Sequence, residues 1–126
     1  MTIYTDNTYI SEALKYEVDP AFCRDTITIA SGSGILDRNT ALGKVTSGGK
    51  FKILAPGASD GTQTAAGILL SQVDATSADV SAVALVRGPA IIDPDGCVWP
   101  AGITNNQKAT ALASLLTINI KAGVGV

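Results

Sequence analysis

From Asp25 to Pro100 the chain is a succession of short β-type runs, each cut off by glycine, proline, aspartate or asparagine, and this punctuation excludes most folds. The runs cover residues 26–30, 41–46, 51–54, 65–70, 80–87 and 90–92. Between them lie Gly32-Ser33-Gly34, Ser47-Gly48-Gly49-Lys50, Pro56-Gly57, Asp60-Gly61 and Asp95-Gly96, where glycine or aspartate supplies backbone angles that other residues resist. Six strands with no helical stretch between them cannot form βαβ units, so the spacing predicts a barrel or sandwich. At 126 residues one core is sufficient, and 46% hydrophobic content against 16% charge supplies the apolar surface to fill it.

The two ends depart from this pattern. Residues 1–24 hold all three tyrosines, Tyr4, Tyr9 and Tyr16, together with Ile3, Ile10, Leu14, Val18 and Phe22, alternating irregularly with polar residues until Asp19-Pro20 breaks the run. Eight larger apolar side chains in twenty-four residues bury too little surface to offset the entropy of ordering them, so this segment is expected to be an extended arm that needs a partner. Fully extended it reaches about 80 Å at ~3.3 Å per residue. At the other end, Thr104 with Gln107 three places on is a capping-box pattern, and Ala109, Leu112, Ala113 and Leu116 form one stripe, which predicts a helix over 105–116. Thr117-Ile118-Asn119-Ile120 alternates with period two and predicts a closing strand over 117–120.

Composition narrows the chemistry. There is no histidine, which removes the commonest general base, the serine triad and most zinc sites. Asp93 with Asp95, and Asp74 with Asp79, are carboxylates close in sequence, but Asp93-Pro94-Asp95-Gly96 reads first as a turn, so no catalytic residue is assigned. Gly43-Lys44 fails the phosphate-loop pattern because Arg38 and Val45 stand at required positions, and Gly32-Ser33-Gly34 fails the dinucleotide pattern at Asp37. Asp60-Gly61-Thr62 lacks the carboxylates of a calcium loop. No cofactor, metal or small-molecule substrate is expected. Cys23 and Cys97 are too sparse for a disulfide scaffold and are expected to be buried thiols. A net charge of −2 with scattered basic residues argues against nucleic acid, and no apolar run approaches the ~20 residues that span a bilayer. The N-terminus lacks the pattern of a signal peptide, so neither export nor membrane insertion is expected. Trp99, the sole tryptophan, stands beside Pro100 and is expected to anchor the core or a subunit contact.

An ordered set of these residues resembles a known family. Gly32-Ser33-Gly34-Ile35-Leu36, Leu42-Gly43-Lys44-Val45, Gly49-Lys50-Phe51, Asp60-Gly61-Thr62, Ala66-Gly67-Ile68-Leu69 and Val83 to Gly88, followed by Val98-Trp99-Pro100, a Lys-containing helix and a terminal Ile-x-Ile, are similar to the phage head decoration proteins related to that of lambda. The similarity covers roughly residues 30–120; the N-terminal arm aligns with no segment of the lambda protein. The resemblance implies a mainly β protein, a small β-tulip or β-clip-like barrel with an extended arm (1–24), a decoration domain (25–126) and one short C-terminal helix. It further implies a non-enzymatic homotrimer on the outer surface of the expanded virion head, made in the host cytoplasm, holding the shell against the pressure of packaged DNA. Its partner would be the major capsid protein, reached by the arm residues Ile3, Tyr4, Tyr9, Ile10, Leu14, Tyr16 and Val18 adding to a capsid strand, with Trp99 and Pro100 as core or trimer anchors. The competing reading is a carbohydrate-binding or adhesion β-module whose Trp99 and tyrosines stack on sugars; a hydrolase using paired aspartates comes third.

Overall fold

The computed structural model describes residues 14–123. Among these, ten strands and two helices follow in the order β1 (Leu14–Glu17), α1 (Pro20–Cys23), β2 (Arg24–Ile29), β3 (Gly34–Leu36), β4 (Ala41–Lys44), β5 (Phe51–Ile53), β6 (Ala65–Leu69), β7 (Val73–Ala75), β8 (Val80–Leu85), β9 (Ala90–Ile92), α2 (Asn105–Leu116) and β10 (Ile120–Ala122), with a 3₁₀ turn at Pro94–Gly96. The fold is mainly β, as expected. All six expected strands are present; β1, β3, β7 and β10 join them.

Five strands hydrogen-bond in the cyclic order β2-β5-β4-β6-β8, and β8 closes the ring by a six-residue antiparallel ladder on β2, from Arg24 opposite Leu85 to Ile29 opposite Val80. The remaining strands form a two-stranded ribbon, β3-β7, and a three-stranded sheet in the order β1-β9-β10. Successive side chains on a strand point to opposite faces, and here both faces of three ring strands are buried. Leu42, Leu69 and Ala84 join one core with Ile29 of β2 and Phe51 of β5, so every ring strand contributes to it. Their neighbours Ala41, Ile68 and Leu85 join a second core with Leu14, Ala90, Ile92, Leu115 and Ile120. The ring thus holds one core and carries a second on its outer side, capped by α2 and the β1-β9-β10 sheet. Burial on both faces explains why β6 reads as a continuous run of apolar and small residues.

Helix α2 begins where the sequence predicts. Thr104 Oγ1 accepts from the Gln107 N–H at 3.1 Å and Gln107 Oε1 accepts from the Thr104 N–H at 2.9 Å, so the capping box is complete. The buried stripe differs from the expected one: Ala111 and Leu115 face the core, flanked by Lys108 and Leu112, while Ala109, Ala113 and Leu116 face outward. Two leucines in succession allow two stripes one residue apart, and the second core selects the one that includes Leu115. The closing strand is also shifted. Residues 117–119 turn, with Asn119 at a positive φ of 65°, and β10 starts at Ile120 to pair parallel with β9.

Backbone also approaches its neighbours closely at Gly43. A Cβ there would stand 2.4 Å from the carbonyl oxygen of Thr62, a buried residue in an otherwise more exposed loop. Thr62 is itself pinned, its hydroxyl donating to Asp60 Oδ1 at 2.5 Å. Gly43→Ala is therefore expected to destabilise the domain by about 1–3 kcal/mol through overpacking, read as a lower midpoint of urea unfolding with an unchanged slope.

Four surface carboxylates are held below their ordinary range: Asp25 by the Arg87 guanidinium, Asp60 and Asp74 by the hydroxyls of Thr62 and Thr76, and Asp79 by Lys50, whose Nζ lies at 2.6 Å. A carboxylate whose folded value is depressed adds stability that is complete above the unfolded value and lost as pH falls through the folded one. The melting temperature is expected to stay level from pH 7 to 5 and to fall below about pH 4, the ordinary carboxylate range. A fall already complete by pH 5 would contradict this.

Candidate functional site

Four of the expected arm residues, Ile3, Tyr4, Tyr9 and Ile10, lie outside the described residues. Leu14, Tyr16 and Val18 are described, and the structure places them on the domain itself. Strand β1 is extended, as its alternation predicts, but it pairs antiparallel with β9, Leu14 opposite Ile92 and Tyr16 opposite Ile91. The Val18 N–H extends the attachment by donating to the Pro89 carbonyl at 2.9 Å. Leu14 is buried in the second core. Of the expected arm (1–24), the described residues from Leu14 onward thus pack on the domain.

The stretch that follows is pinned at every step. Glu17 takes a two-pronged contact from the Arg24 guanidinium, Nε to Oε2 at 3.1 Å and the terminal nitrogen to Oε1. Burial is modest and the carboxylate is the first cause that raises the Arg24 pKa. Asp19 and Pro20, which the sequence marks as a break, start a single helical turn: Asp19 Oδ1 accepts from the Ala21 N–H at 3.0 Å and Pro20 takes the first helical position. Cys23 closes the turn fully buried, its carbonyl accepting from the Val86 N–H at 2.9 Å. The Phe22 ring stays 54% exposed under the Arg87 guanidinium, 5.3 Å from the ring centroid, while Arg87 also holds Asp25. Alternation in this stretch marks an extended segment but does not show that β9 is there to receive it.

On the outer face of the small sheet, Tyr16, Ile91 and Lys121 form a row across β1, β9 and β10. With Pro89, Leu116 and Asn119 they line a groove of about 300 Å³, in which Tyr16 is 51% and Leu116 58% exposed. Its floor is fixed where Gly88 meets the turn before β10: a Cβ on Gly88 would fall 1.7 Å from the Asn119 carbonyl oxygen, and the Gly88 N–H donates to the Ile118 carbonyl at 2.9 Å. Sequence reasoning missed the groove. Its one signal was the Leu115-Leu116 pair, since a helix that buries one of two adjacent leucines presents the other.

Trp99 and Pro100 are half-buried. The indole packs on the edge of the second core, donates Nε1–H to the Pro94 carbonyl at 2.9 Å, and lies 6.0 Å from the Lys108 ammonium. The paired aspartates are separate turn residues: Asp93 Oδ1 accepts from the Asp95 N–H at 3.0 Å, Asp74 Oδ1 accepts from Thr76, and Asp79 accepts from the Ser31 N–H at 2.7 Å. Cys97 is buried and its thiol is pushed up to about 12 by desolvation.

The family model for the bacteriophage lambda head decoration protein D matches residues 3–120. The chain belongs to the phage head decoration protein family. Comparison with curated proteins yields no match. Membership makes this decoration protein a component of the phage head that binds the capsid, in a family whose role is structural. The family match begins at residue 3 and so takes in the leader as well as the domain.

Within this decoration protein, Leu14 and Tyr16 have opposite tasks on one strand. Leu14→Ala is expected to cost about 2–4 kcal/mol of stability, because it opens a cavity against Ile92 and Ile120, whereas Tyr16→Ala leaves the midpoint of thermal unfolding within a degree or two. Equal losses in the two variants would contradict the assignment of inner and outer faces.

Proposed function

We propose that the protein is a cement subunit that binds as a homotrimer to the outer surface of the expanded head and stabilises it against the pressure of packaged DNA, its ring of strands being the β-tulip domain of the family. The observation that carries this reading is the family match over residues 3–120. Residues 1–13 are the capsid-binding arm, with Ile3, Tyr4, Tyr9 and Ile10 as its apolar side chains, and they add as a strand to the major capsid protein. Thirteen residues reach about 43 Å at ~3.3 Å each, enough to cross onto a neighbouring shell subunit. Four large apolar side chains on such a length favour backbone pairing with a partner over folding alone. In a trimer three arms act together, each bound arm raising the effective concentration of the others. Trp99 and Pro100 serve as core anchors rather than sugar platforms, since the indole N–H is committed to Pro94 and Lys108 lies over the ring.

The location of Leu14 in the core decides how this is tested. Deleting residues 2–13 is expected to leave the melting temperature and oligomer size unchanged while abolishing co-sedimentation with expanded heads that lack decoration protein. Extending the deletion through Asp19 removes β1 and is expected to destabilise the domain as well. Tight binding by the shorter deletion would refute the role of the arm.

A further inference from the structure

The groove on the outer face of the β1-β9-β10 sheet is unusual in three respects. It is apolar and open, with Tyr16 and Leu116 each more than half exposed on its walls. Scattered single apolar residues on a surface are normal; here Tyr16, Ile91 and Leu116 line one groove together, with Lys121 at its edge. It is rigid, because its floor is made of closely approaching backbone: the Ala90 N–H donates to the Asn119 carbonyl at 3.1 Å, and the Gly123 N–H donates to the Ile92 carbonyl at 2.8 Å. A preformed site avoids the entropy cost of ordering its own walls. And it stands at the root of the leader, since Tyr16 follows Leu14 by two positions and thirteen residues of chain precede Leu14.

That last point identifies the occupant. The last large apolar leader residues, Tyr9 and Ile10, come five and four positions before Leu14, so whatever surface they engage lies within about 16 Å of Leu14 at ~3.3 Å per residue. The groove is then held against the same surface by a tether of a few residues, at high effective concentration. Resting on the reading that the leader binds the shell, we propose that the groove of Tyr16, Ile91, Leu116 and Lys121 is a second capsid contact, which receives an apolar side chain of the shell subunit beside a carboxylate. Leu116 and Tyr16 clasp the apolar group, and Lys121 meets the acid. The leader supplies reach and the groove supplies a fixed register.

The test uses the full-length chain in three forms: unaltered, Leu116→Lys and Lys121→Glu. Each is measured for thermal unfolding, for sedimentation of the free protein, and for saturable binding to expanded heads stripped of decoration protein. Both variants change exposed side chains, so unfolding temperature and free oligomer size are expected to stay put, while Leu116→Lys weakens head binding at least tenfold and Lys121→Glu weakens it several-fold, with less salt dependence. Unchanged binding by both variants overturns the proposal while leaving the role of the leader intact. A change in free oligomer size with either variant also overturns it, because the groove would then be a contact between copies. Should Leu116→Lys lower the unfolding temperature, Lys121→Glu alone decides, and its normal binding would sink the idea. Failure of the unaltered chain to bind heads removes both this inference and the reading on which it rests.

Discussion

Strand β9 is three residues long, and the placement of the groove lined by Tyr16 and Leu116 depends on its two pairings. On one side it takes β1 antiparallel, and on the other it takes β10 parallel, so both ends of the described chain are fastened to the same short strand. Its inward residues, Ala90 and Ile92, enter the second core with Leu14 and Ile120; its outward residue, Ile91, lies between Tyr16 and Lys121. A two-stranded pairing would be marginal in water, and three strands packed against a helix are what give such short pieces stability. The root of the leader is therefore a rigid point of the domain rather than a gradual fraying.

This rigidity has a mechanical meaning for a capsid component. On the proposed reading that residues 1–13 tie the domain to the shell, the tie resists load only if its anchored end does not peel. Peeling would have to break the β1 ladder, expose Leu14, and separate Glu17 from Arg24 in turn. The surface ion pairs contribute little individually. The buried leucine and the backbone pairing contribute most of the resistance, and both are set by the same register.

Much of this was legible in the sequence, for identifiable reasons. The six main strands were bounded by glycine and aspartate turns whose backbone demands are local, and the capping box of Thr104 with Gln107 is read directly from spacing. What was not legible is tertiary. Leu14, Tyr16 and Val18 alternate as a strand does whether the partner strand belongs to the same chain or to another, so their period established an extended segment without naming β9 as its neighbour. Likewise, Ala-rich residues around Leu112 to Leu116 allow two helical stripes, and only the core beneath chooses Leu115. Strands β3 and β7 were missed because three residues are too few for a period to emerge.

The central claim is that one boundary, just ahead of Leu14, separates what the domain holds from what the head must hold. Hydrogen–deuterium exchange of the full chain, free and bound to expanded heads, tests it most directly. The account predicts that the Val18 amide, which donates to the Pro89 carbonyl, is already protected in the free protein, and that the amides of residues 2–13 become protected only on the head. Protection of 2–13 in the free protein, or an unprotected Val18 amide that slows only on the head, would contradict it.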